Sequence, residues 1–170
     1  MDPLRKISIL MTLLFLFTDC STAQKLQKKA PITIENVYCQ KWTAGVKGGG
    51  SGINLFIPVS AEMPQTIQLD SVYFRGKAAK LEKTKAQNIL YVGRLETNFN
   101  SKQNIIMSSD PNEEYGNEPP KLEKKIPFDL NDSECVVSFK EGGETKYFKI
   151  ENITEKPSQN YPSAPPNKHK

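Results

Sequence analysis

The chain has 170 residues, 25% of them charged and 37% hydrophobic, a size that suits one domain with a real core. Its formal net charge of +4 sits at the two ends. Residues 1–30 carry five Lys/Arg against two Asp, and residues 156–170 carry three Lys and no acid, which leaves 15 basic and 17 acidic groups between 31 and 155. The domain is therefore slightly acidic and offers no basic stripe for nucleic acid. The one histidine, His169, lies in the C-terminal tail, which removes His-based acid–base catalysis, Ser-His-Asp and Cys-His nucleophiles and His-rich zinc sites.

Residues 1–23 have the parts of a secretory signal. Arg5 and Lys6 form its positive start, and the apolar stretch Ile7 to Phe17 is too short to span a bilayer comfortably. Ser21-Thr22-Ala23 places small residues before a cut at Gln24. A cut before Cys20 is the alternative: it makes 1–19 the signal and leaves a lipidated Cys20 at the N-terminus, although Thr18 and Asp19 depart from the small residues such a cut prefers. Either outcome exports the protein, to be periplasmic, anchored at the outer membrane or extracellular, and touching membrane only through that lipid. Lipidation or removal of Cys20 leaves Cys39 and Cys135, and an oxidising compartment favours a disulfide between them. The bridge would stabilise by up to about 4.7 kcal/mol in the chain-entropy model. Two separately buried thiols are the other reading.

Residues 24–30, "QKLQKKA", read as a polar spacer, and a domain follows over 31–155. Runs at 32–42, 52–60, 66–76, 88–96, 103–109, 134–142 and 145–153 are short and rich in β-branched or aromatic residues. Ile53, Leu55 and Ile57 share one face, as do Cys135, Val137 and Phe139. Inside 66–76 the phase slips from odd (Ile67, Leu69) to even (Val72, Phe74), which predicts a β-bulge near Asp70-Ser71. Gly142-Gly143 between two runs predicts a hairpin. Residues 77–87, "KAAKLEKTKAQ", fit a short helix or a polar edge strand. The expected fold is all-β: a single antiparallel β-sandwich, immunoglobulin-like, with at most one short helix. Trp42, beside the expected bridge, reads as core, with Tyr38, Trp42, Tyr73 and Tyr115 as an alternative recognition surface. Residues 156–170, with four prolines and almost no aliphatic residue, read as a disordered tail.

Two loops carry candidate chemistry. "VKGGGSG", 46–52, lacks the Lys-Ser/Thr pair of a phosphate loop, so Gly48, Gly49 and Gly50 form either a mobile connection or an anion-facing backbone. "SSDPNEEYGNEPP" supplies Asp110, Asn112, Glu113, Glu114 and Tyr115 as ligand-binding candidates. Asp110, Asn112, Glu114 and Glu118 could hold calcium, the one cofactor in view, though an EF-hand would need Gly and Glu where Tyr115 and Lys121 stand. Two of these carboxylates across a cleft would suit a glycoside or wall hydrolase.

The stretches "TDCSTAQ", "YCQKWTAGVKGGGSGINLFIPV", "SDPNEEYGNEPP" and "IPFDLNDSECVVSF" resemble small exported, lipoprotein-like proteins of flavobacterial type, over most of the mature domain. The resemblance implies a place in the cell envelope and carries no activity and no functional residue. The expectation is a non-catalytic binding or structural module, its partner a protein or polysaccharide of the envelope. A carboxylate-dependent hydrolase and a calcium-stabilised adhesion module are the alternatives.

Overall fold

A computed structural model describes residues 26–60, 64–84, 89–101 and 125–163. The signal with Cys20, the run 103–109 and the acidic loop with Asp110, Asn112, Glu113, Glu114, Tyr115 and Glu118 lie outside the described residues. Those described form nine strands and no helix: β1 (Leu26–Gln27), β2 (Tyr38–Thr43), β3 (Gly49–Val59), β4 (Ile67–Phe74), β5 (Lys77–Lys83), β6 (Ile89–Ser101), β7 (Cys135–Glu141), β8 (Glu144–Ile150) and β9 (Thr154–Asn160). They hydrogen-bond into one sheet in the order β1-β8-β7-β4-β5-β6-β3-β2-β9. The all-β expectation holds. The sheet is mixed rather than antiparallel, because β1 runs parallel to β8 and β9 parallel to β2.

The predicted bulge is in place. Leu69 pairs with Phe139 and Ser71 with Ser138, so Asp70 is the extra residue that moves the inward positions from odd to even. The buried Ser138 hydroxyl accepts the Ser71 N–H at 3.0 Å and donates to the Ser71 carbonyl, which satisfies the backbone that the bulge displaces. Gly142 and Gly143 both take positive φ and join β7 to β8 as a two-residue hairpin. A second such turn, Arg75-Gly76 at φ 46° and 77°, joins β4 to β5.

Residues 77–83 are strand, not helix, against their composition. Ala79 and Leu81 pack against the core at period two, whereas one helical face would need them three or four apart. Lys77–Lys80 pair with β4 and Leu81–Lys83 with β6, so β5 hands the sheet from one half to the other. The whole sheet cannot lie flat. β8 and β9 stand seven strands apart, about 33 Å in a plane. Only Glu151, Asn152 and Ile153 connect them, and four residue steps reach at most about 14 Å. The sheet therefore curls over at β5, and the apolar faces of its two halves close on one core.

That core draws Cys39, Leu55 and Ile57 from one half and Val72, Phe74, Val137, Phe139 and Phe148 from the other, all fully buried. Gly93 on β6 shows how closely the halves approach, since a Cβ there would come within 2.5 Å of a Val72 methyl. Cys39 and Cys135 are both free, buried thiols, so the expected disulfide is not formed in this structure. Each packs in the core as a small hydrophobe. Burial pushes both thiols up in pKa, and the nearby Cys39 adds to the effect at Cys135.

Two flanks are more ordered than their composition predicts. Within the spacer, Leu26 and Gln27 pair with Tyr147 and Phe148. The expected tail begins inside β9, which pairs with β2 as far as Asn160. Backbone hydrogen bonds to an exposed edge need no apolar side chain, so β9 is exposed throughout and tolerates Pro157. Glu155 anchors it, accepting from Lys41 Nζ at 2.8 Å and Arg75 Nη2 at 2.9 Å.

Candidate outer-face site

Residues directly opposite one another in a sheet share a face. With Cys39, Leu55 and Gly93 turned to the core, three rows face outward on the half built from β9, β2, β3 and β6. They are Trp42–Gly52–Glu96, Gln40–Asn54–Arg94 and Tyr38–Phe56–Val92. Trp42 is thus an outer-face residue and not part of the core. Its indole lies over Gly52, where a Cβ would meet the ring nitrogen at 2.6 Å. Glycine at 52 is therefore what lets the ring lie down on the sheet.

Tyr161 stands against Trp42 at 6.3 Å between centroids and 69° between planes, making a corner of two aromatic walls. Its placement comes from the backbone. The Tyr161 N–H donates to the Thr43 carbonyl at 2.9 Å, extending the β9–β2 ladder, and the chain from Tyr161 to Ser163 packs directly on Gly45. The corner opens on a pocket of about 260 Å³ lined by Trp42, Asn54, Arg94, Leu95, Glu96 and Tyr161.

Within this pocket Asn54 Oδ1 is sealed from solvent and has no hydrogen-bond partner among the described residues. Such an acceptor costs about 1–3 kcal/mol relative to a satisfied one. Arg94 Nε donates to Glu82 at 3.2 Å; both side chains are more than half exposed, so the pair contributes little to stability. Arg94, Leu95 and Glu96 also border a second cleft of about 530 Å³, which runs on to Gly76–Lys80 and Glu82. It exists because β5 leaves β6 at Leu81 to pair with β4, opening a gap beside Arg94–Glu96.

The neighbouring row is already covered. Tyr38 and Phe56 stack at 4.7 Å and 17°, and Lys156 Nζ sits 3.4 Å from the Tyr38 centroid. On the other half Tyr73, Phe128 and Tyr147 pack together, with Tyr73 and Phe128 edge to face at 4.9 Å.

The glycine-rich loop is pinned rather than mobile. Asn100, at φ 53°, accepts the Gly48 N–H at 2.9 Å and donates to the Ala44 and Val46 carbonyls at 2.9 and 3.0 Å. Gly49 N–H donates to the Val46 carbonyl, and Gly50, at φ 87°, accepts from Ala44. The Gly48 and Gly49 N–H groups are thus both taken by acceptors of the chain itself. Of the sequence candidates among the described residues the pocket contains only Trp42. It adds Asn54, Arg94, Glu96 and Tyr161, and the signal for the first three was the alternation itself: a polar Asn between Ile53 and Leu55, and charges flanking Leu95, mark the outward positions.

In comparisons with known proteins the chain matches no family model, no curated protein and no solved structure, so its own residues carry the functional argument.

Proposed function

We propose that the protein is an exported, non-catalytic binding module of the cell envelope that takes its ligand on the outer face of the β2–β3–β6 half. The observation that carries this reading is the Trp42–Tyr161 pocket, walled in part by Asn54, whose sealed Oδ1 has no partner among the described residues. A fold does not leave such a group unsatisfied at no cost, and sites that bind polar ligands are where that cost is tolerated. The supporting scaffold is read as a two-layered, immunoglobulin-like sandwich, to which the close approach of Gly93 and Val72 lends weight. Export rests on the N-terminal sequence, with Cys20 lipidated or removed. In an oxidising compartment the Cys39 and Cys135 thiols, near enough to influence each other, are the pair to be joined.

Intact mass of the protein from its native membrane and soluble fractions tests the export reading. An acylated chain beginning at Cys20, or one beginning at Gln24, supports it; an unprocessed chain from Met1 overturns it. Loss of two hydrogens that reductant restores marks the disulfide. Incubation with envelope polysaccharide separates binder from hydrolase: retention without released fragments supports the module, and released fragments the carboxylate-dependent hydrolase. A melt that chelator leaves unchanged argues against the calcium alternative.

A further inference from the structure

We infer that the outer-face pocket and the cleft beside it form one subsite track for a neutral glycan chain. This rests on the binding reading above and names its ligand class. A sugar ring presents an apolar C–H face together with hydroxyls spread around its rim. The pocket offers the complement of both: the Trp42 and Tyr161 rings at 69° for the apolar face, and the Asn54 side-chain amide in its wall, a group that can donate and accept, for the rim hydroxyls.

The charges at the rim come in both signs. Along the track Lys77, Lys80 and Arg94 stand with Glu82 and Glu96, and Arg94 is paired with Glu82, so the excess is a single positive charge, too little for a polyanion such as a nucleic acid to be the preferred ligand. Planar guanidinium, carboxylate and amide groups side by side suit a ligand whose hydroxyls both donate and accept. At about 260 Å³ the pocket lies below the range usual for drug-sized ligands, which fits a single ring. The 530 Å³ cleft shares Arg94, Leu95 and Glu96 with it and leads away towards Gly76–Lys80, so further units have a path across β6. The ligand is thus a chain, with one unit in the aromatic corner and its neighbours in the cleft.

Trp42 is the only tryptophan of the chain, so fluorescence of the full-length protein excited selectively at tryptophan reads this pocket. The probes are neutral cello-, chito- and manno-oligosaccharides of one to six units, with hexalysine and inorganic pyrophosphate for comparison. The expected result is a saturable change with at least one sugar series that tightens as units are added and levels off once the cleft is filled. Asn54→Leu should weaken it roughly three- to tenfold, the worth of one neutral hydrogen bond. Tyr161→Ala should weaken it as well, while Tyr73→Phe on the opposite half should leave it unchanged. A Trp42→Ala protein, followed by calorimetry, should not bind. If hexalysine or pyrophosphate gives the saturable, Asn54-dependent change and no sugar does, the glycan assignment falls and the binding face stands. If Trp42 responds to no probe, both fall. A sugar response that does not depend on chain length overturns the track through the cleft.

Discussion

Replacing Asn54 by Leu should make the ligand-free protein more stable, the opposite of the usual outcome for a substitution in a sheet. The two side chains have the same branching and number of heavy atoms, so Leu fits the space that Asn54 leaves. What changes is the sealed Oδ1, which has no partner among the described residues and costs about 1–3 kcal/mol unsatisfied. Leu also suits a strand better than Asn. We expect a net gain of about 1–2 kcal/mol, read as a rise of roughly 0.5–1 M in the urea midpoint at unchanged m for m near 2 kcal/mol/M. Asn54→Asp keeps the shape but places a charge at the same sealed position, and should destabilise by more than Leu stabilises. A gain in stability together with a loss of ligand is what a site held at a cost to the fold produces. An Asn54→Leu midpoint equal to or below that of the parent would refute the reasoning, since Asn54 would then be satisfied in the free protein.

Other outcomes follow from the core and the ion pairs. Gly93→Ala should cost about 1–3 kcal/mol through overpacking against Val72, and Val72→Ala a similar amount through its cavity. The double variant should be more stable than the sum of the two predicts by about 0.5–3 kcal/mol, and strict additivity in urea unfolding would show that the two halves do not meet there. Glu155, held by Lys41 and Arg75, and Glu134, held by Lys149, have carboxyls below the ordinary range. Their stabilisation is complete above an unfolded-state value near 4.3 and is lost as pH falls through the depressed native values, so the melting temperature should drop on that limb. Lys146 and Lys149 lie above the ordinary lysine range, so their contribution holds below about pH 10.4 and fades as pH rises past it. Under reducing conditions Cys39 and Cys135, buried and with raised pKa, should resist iodoacetamide in the native protein and react once it is unfolded; fast native labelling of either would contradict their burial.

Much of the scaffold is legible in the chain because period-two alternation carries it. Ile53, Leu55 and Ile57 mark β3, Cys135, Val137 and Phe139 mark β7, and the slip from Leu69 to Val72 locates the bulge at Asp70. Gly142-Gly143 marks its hairpin because both residues must take positive φ. Arg75-Gly76 does the same work with a less telling first residue, between the strand run 66–76 and the segment 77–87. β5 itself was ambiguous because Lys, Ala and Glu favour helix, and only packing of Ala79 and Leu81 on the core decided against it.

The candidate site was far less legible, because none of its residues is neighbour to another in sequence except Arg94–Glu96. Trp42 reads as core by its apolar character, yet the register that turns Cys39 inward turns Trp42, three residues along, outward. Tyr161 sits in a proline-rich end whose composition predicts disorder, and it is placed by backbone hydrogen bonds that composition does not encode. By itself the sequence determined the all-β character, the inward faces and the bulge, since these depend on local alternation and turn residues. The tertiary structure alone decided that the sheet curls at β5, that β9 adds to an edge, and that Trp42, Asn54 and Tyr161 meet. Each of those depends on strands far apart in the chain being brought into register, where backbone pairing and the closing of one core outweigh local preference.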